Sequence, residues 1–62
     1  MTEQLSFGNG KILTLYFRGA TGLVSKFEVD APNSRMRTYT HHFPYGATRE
    51  EAIQQAINGS GL

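Results

Sequence analysis

A chain of 62 residues makes one domain, and a fold of that size buries only about 60% of the surface its unfolded form exposes. Leu, Ile, Val and Phe supply 14 residues, above the roughly 20% share below which chains stay disordered; with no cysteine there is neither a disulfide nor a thiolate metal site, so the small core must suffice or a partner subunit, a homodimer included, must extend it. The formal net charge is +1, no apolar run approaches the roughly 20 residues that span a bilayer, and Met1 to Gln4 lacks a basic, then apolar, leader, so the expectation is a cytoplasmic single domain over residues 1–62, ordered from about 11 to 58, with no membrane partner.

In chain order, Gln4 to Phe7 is a candidate edge strand ahead of Gly8-Asn9-Gly10, whose Asn-Gly dipeptide suits a type I′ turn. Lys11 to Arg18, Leu23 to Asp30 and Arg35 to Phe43 are rich in Val, Ile, Thr, Tyr and Phe and read as three antiparallel strands. Gly19-Ala20-Thr21-Gly22 and Asp30-Ala31-Pro32-Asn33-Ser34 separate them, and Pro44-Tyr45-Gly46 is a further break. The period then changes. Thr48 followed by Glu51 is a capping box, and Ala52, Ile53, Ala56 and Ile57 form one apolar stripe opposite Arg49, Glu50, Gln54 and Gln55. A helix from about Thr48 to Asn58, ended by a left-handed residue at Asn58-Gly59 with Gly61-Leu62 as a frayed tail, is too short to persist alone in water and must dock on the sheet. The fold class is α+β: an antiparallel meander of three strands, or four with the edge strand, and one C-terminal helix packed on one face.

Strand alternation assigns Leu13, Leu15 and Phe17 to the core, with Ile12, Thr14, Tyr16 and Arg18 facing away. In the second strand Leu23, Ser25, Phe27 and Val29 share the core face, and Val24, Lys26, Glu28 and Asp30 the other. The third strand has two phases. One places Tyr39 and Phe43 inside together with Arg35, Arg37 and His41; the other buries Met36, Thr38, Thr40 and His42; a bulge would reconcile them.

The neighbours His41 and His42 point to opposite sides of a strand and do not chelate one ion. Gly8-Asn9-Gly10-Lys11 lacks the strand, helix and spacing of a phosphate-binding loop. No spacing ties Ser6, Ser25, Ser34 or Ser60 to a histidine and a carboxylate, and a flat sheet of this size does not enclose the roughly 300 Å³ of a small-molecule pocket. The expectation is a non-enzyme with no cofactor and no metal. Charge is more informative: Lys11, Arg18, Lys26, Arg35 and Arg37 fall within residues 11–43 against Glu28 and Asp30, a local excess that points to an anionic partner. On the helix-free face Tyr16, Arg18 and Lys26 cluster, with Arg35 and Arg37 nearby and Thr14, Thr38 or Thr40 between them. Arginine pairs with guanine edges or phosphates, threonine methyls touch thymine, and a narrow antiparallel sheet enters a major groove.

Arg18-Gly19, the basic Arg35-Met36-Arg37, and Tyr45-Gly46-Ala47-Thr48-Arg49-Glu50-Glu51-Ala52-Ile53 together resemble the AP2-type DNA-binding domain, and the related arm-binding domains of phage integrases, over about residues 13 to 58. The chain departs from that family in lacking a tryptophan and carrying Glu28 and Asp30 in its second strand. The resemblance implies a three-stranded sheet whose face contacts the major groove of double-stranded DNA. The leading expectation is accordingly an accessory or regulatory DNA-binding protein of a mobile element, with Tyr16, Arg18, Lys26, Arg35 and Arg37 as the binding residues. The same helix opening, Gly46-Ala47-Thr48-Arg49-Glu50-Glu51-Ala52, looks like that of HicB-type antitoxins, which bind a protein toxin. The alternative expectation is therefore a protein-interaction module or homodimer without nucleic-acid binding, its apolar centre at Ile12, Tyr16 and Val24 or at an exposed strand edge.

Overall fold

The computed structural model describes residues 1–31 and 38–60. Four strands run in the order β1-β2-β3-β4 as an antiparallel sheet: β1 Thr2–Ser6, β2 Ile12–Arg18, β3 Leu23–Asp30 and β4 Thr38–Ala47, followed by helix α1 Arg49–Ser60. Each strand pairs with its neighbour in sequence, so the sheet is a meander. The candidate edge strand is thus present, shifted toward the N-terminus, and the meander has four strands rather than three. Pro32, Asn33 and Ser34 of the expected loop, the start of the expected third strand at Arg35, Met36 and Arg37, and the Gly61-Leu62 tail lie outside the described residues.

Turn chemistry closes the hairpins. Gly8–Gly10 form a single 3-10 turn, not the two-residue type I′ turn expected from Asn-Gly, and the Phe7 N–H donates to the Lys11 carbonyl at 2.8 Å. Between β2 and β3, Gly19–Thr21 make another 3-10 turn that ends on left-handed Gly22, φ 71°. There the Thr21 hydroxyl donates to the Arg18 carbonyl at 2.8 Å and accepts the Leu23 N–H at 3.2 Å.

The core is one layer of side chains between sheet and helix. Leu13, Leu15, Val24, Phe27, Ala52 and Ala56 expose no surface, and Leu5, Phe7, Phe17, Tyr39, Phe43 and Ile53 pack around them half-buried. The helix residues that enter this layer fully are the small Ala52 and Ala56. α1 packs chiefly on β3. Its first residue, Arg49, grips Glu3 of β1 through two 2.8 Å hydrogen bonds, Nε to Oε1 and Nη2 to Oε2, while near its other end Gly59 approaches the Tyr39 hydroxyl of β4. The helix therefore crosses the sheet diagonally.

The N-cap half of the capping box is formed: the Thr48 hydroxyl accepts the Glu51 N–H at 3.1 Å, while the Glu51 carboxylate takes the Thr48 hydroxyl proton, at 3.1 Å, in place of the backbone N–H that a full box would use. The helix does not stop at Asn58-Gly59 but runs to Ser60, with no left-handed residue at Gly59.

Two expectations about the strands are corrected. Val24, expected to face away, is fully buried. The pairing passes from Tyr16↔Lys26 to Phe17↔Val24, which leaves Ser25 as the extra residue of a β-bulge, and its hydroxyl donates to the Tyr16 carbonyl at 3.2 Å. One inserted residue inverts the phase, so Val24 joins Phe27 and Val29 inside and Leu23 moves to the Arg18 side. Pro44-Tyr45-Gly46, expected as a break, lies within β4. It forms an excursion where the register jumps from Lys26↔His42 to Val24↔Ala47. Gly46 enables it: its φ is 77°, and a Cβ there would meet Leu23 Cβ at 3.0 Å.

Candidate functional site

The helix leaves one sheet face uncovered, and the register fixes its composition. Thr2, Tyr16, Lys26 and His42 form one cross-strand row; Gln4, Thr14, Glu28 and Thr40 the next; Ser6, Ile12, Asp30 and Thr38 the third. Beyond the first row, Arg18 pairs with Leu23. The face is a flat, hydroxyl-rich surface with one half-buried isoleucine.

Three of the residues singled out from the sequence, Tyr16, Arg18 and Lys26, are brought together at one end of this face. The Lys26 ammonium lies 4.7 Å from the centre of the Tyr16 ring, a cation–π distance. The Tyr16 hydroxyl reaches diagonally to the neighbouring row and donates to the Glu28 carboxylate. That bond raises the phenol above its ordinary pKa, burial and the carboxylate's charge adding to it, because a phenolate here would lose its acceptor and face an anion. Tyr16 is thus pinned between a cation and a carboxylate, a fixed aromatic plate and not a free side chain.

Charge is sorted along the strands. Arg18 and Lys26 stand toward the β2–β3 turn, with His42 opposite Lys26, whereas Glu28 and Asp30 occupy the successive rows away from it. Among the described residues of the face, the two cations and two carboxylates balance. Arg35 and Arg37 lie outside the described residues; their flanking residues, Ala31 and Thr38, sit at the acidic end, where Thr38 pairs with Asp30.

The phase of the last strand, left open by the sequence, is settled by its pairing. Tyr39, His41 and Phe43 face the helix side, and Thr38, Thr40 and His42 the free side. His41 stacks on Phe27 with ring centres 5.4 Å apart and meets Phe43 edge-on at 4.7 Å. The two histidines therefore diverge. Thr2, Gln4 and His42 are face residues that sequence reasoning did not single out; the alternation Thr2-Glu3-Gln4-Leu5-Ser6 was the signal for the first two, and His42 became assignable only with the phase of β4.

No family model matches the chain, and neither a curated protein nor a solved structure matches it.

Proposed function

We infer that this is a small DNA-binding module that meets double-stranded DNA with the cationic end of its helix-free sheet face, as an accessory or regulatory protein of the kind mobile elements encode. The observation that carries this reading is the convergence of Arg18, Lys26 and Tyr16 in adjoining rows, with Thr2, Thr14 and His42 alongside. Arg18, exposed beside the turn, takes phosphate or a guanine edge; Lys26, positioned by the Tyr16 ring, takes phosphate; the threonine hydroxyls and methyls meet base or sugar. Strand spacing of about 4.8 Å makes β2–β4 about 10 Å wide, which fits the roughly 12 Å major groove. All four strands span about 14 Å, so the β1 side rides over the backbone. Arg35 and Arg37 belong to this reading as further phosphate contacts, and the sheet-face mode is the one the AP2 resemblance implies.

With only two to four phosphate contacts, the logarithm of affinity falls with that of salt at a slope of about 2 to 4. Changing Arg18 and Lys26 together to Ala should weaken binding to a mixed-sequence duplex at least tenfold, and so should changing Arg35 and Arg37. Glu28→Gln, which removes an anion from the face, should strengthen it. No binding at about 50 mM salt, where the electrostatic contribution is large, would overturn the reading.

A second reading, binding of a protein partner by the same face, is favoured by one observation. Glu28 and Asp30 offset Arg18 and Lys26 among the described residues, which suits a partner of mixed charge. Its expected apolar centre is reduced to Ile12 and Tyr16, because Val24 is in the core. Affinity that is nearly independent of salt would distinguish it.

A further inference from the structure

We propose that the outer edge of β4 is a self-association interface, through which a second copy of the chain adds antiparallel to the sheet about a two-fold axis at Thr40. The basis is the contrast between the two sheet edges. β1 is five residues long and carries an inward-facing carboxylate, Glu3, clamped to Arg49; short length and charge are the devices that keep an edge from pairing. The first six residues of β4, Thr38-Tyr39-Thr40-His41-His42-Phe43, contain no Asp, Glu, Lys, Arg, Pro or Gly. Among the described residues no strand pairs on its far side, which leaves alternate backbone N–H and C=O groups facing outward.

This edge is also self-complementary. A two-fold at Thr40 sets Tyr39 opposite His41 of the second copy, and Thr38 opposite His42 of the second copy, whichever alternate residues point their backbone groups outward. On the helix side Tyr39, His41 and Phe43 remain half-buried, each ring already against Phe27, with ring centres 6.0, 5.4 and 5.8 Å away. Pairing of Tyr39 with His41 of the second copy continues this cluster across the axis, a favourable cross-strand aromatic contact. The free side meets in hydroxyls and imidazole, with no carboxylate or ammonium on the paired strand. Pro44 and the Gly46 excursion end the ladder, which keeps it short. The interface is accordingly small and the association weak. The result is an eight-stranded sheet with both helices on one side and both helix-free faces continuous on the other.

Sedimentation equilibrium from about 10 μM to about 1 mM, the range of weak association, tests this in the absence of DNA, so its outcome does not depend on the DNA reading. The wild-type chain should pass from monomer to dimer. Thr40→Lys sets two ammonium groups face to face across the axis, while in the monomer it gains Glu28 as a cross-strand neighbour; the dissociation constant should rise at least tenfold with the melting curve unchanged. Gln4→Lys, on the opposite edge, should leave association unaltered. A mixture of differently isotope-labelled chains should show contacts between the Tyr39 and His41 rings of different copies. A wild-type monomer throughout the range overturns the proposal, as does a dimer that Thr40→Lys leaves intact or that Gln4→Lys dissociates.

Discussion

Glu3 and Arg49 join the first strand to the first turn of the helix, and their geometry makes the pair sensitive to acid. The two parallel hydrogen bonds from the guanidinium hold the Glu3 carboxyl below its ordinary range, against a smaller opposing effect of desolvation. The folded chain thus binds fewer protons at this site than the unfolded chain does. The contribution of the pair is complete above the ordinary carboxylate pKa and is lost as pH falls through the lowered folded value. Because both side chains keep a third or more of their surface in water, salt screens the effect and it stays small. Glu3→Gln should flatten the acid limb of the stability profile, measured by denaturant midpoint between about pH 5 and pH 3; an unchanged limb would mean that the clamp is not formed in solution. Tyr16 has the opposite sign: its hydrogen bond to Glu28 raises the phenol, so the stability it confers is present below the ordinary tyrosine pKa and is lost as pH rises through the higher folded value.

At the scale of elements, the helix is set by its cap. Thr48 satisfies the Glu51 N–H, a donor that no intrahelical carbonyl reaches. Thr48→Ala should cost about 1 kcal/mol, read from thermal or denaturant unfolding, and leave the residues of the helix-free face in place. No loss would show that water replaces the hydroxyl without cost. The cap was legible because Thr-x-x-Glu is a local code whose two partners are three residues apart, and the same holds for the alternation that put Leu13 and Leu15 inside. What the sequence concealed was non-local. The Ser25 bulge depends on how β3 meets β2 and β4, and from Lys26 onward the second strand alternates correctly, so nothing in Leu23-Val24-Ser25 announces the inversion. In the last strand Tyr39 and Phe43 argued for one phase, but the same phase put Arg35, Arg37 and His41 inside, whereas the other buried Met36 with Thr38, Thr40 and His42, so alternation alone kept both open. Of the candidate site, Tyr16, Arg18 and Lys26 followed from plain alternation, whereas the Glu28 carboxylate taking the Tyr16 hydroxyl required knowledge of the diagonal across two strands.

For the whole molecule, stability concentrates on one ring. Phe27 is fully buried, contacts Tyr39, His41 and Phe43, and lies under the helix, so it ties the strands at the β4 edge to the layer above. Phe27→Ala should remove about 3 to 5 kcal/mol, comparable to the entire stability of a domain this small, and the variant should be unfolded by circular dichroism at 25 °C; a cooperative melt near that of wild type would move the centre of the core elsewhere.

The meander order has a consequence in time as well as in energy. Because every strand pairs with its immediate neighbour along the chain, each successive hairpin needs only a short loop to close, and the sheet can assemble without any distant meeting of segments. Docking of the helix is the distant step: Ala52 and Ala56 join Leu13 and Leu15 in the core, and the contact between Glu3 and Arg49, 46 residues apart, needs both the first strand and the helix in place. Bonds made after the rate-limiting barrier act on the reverse journey alone. The clamp between the two ends of the fold is thus a light latch: being exposed to water it slows unfolding only slightly, and it leaves untouched how quickly the molecule forms.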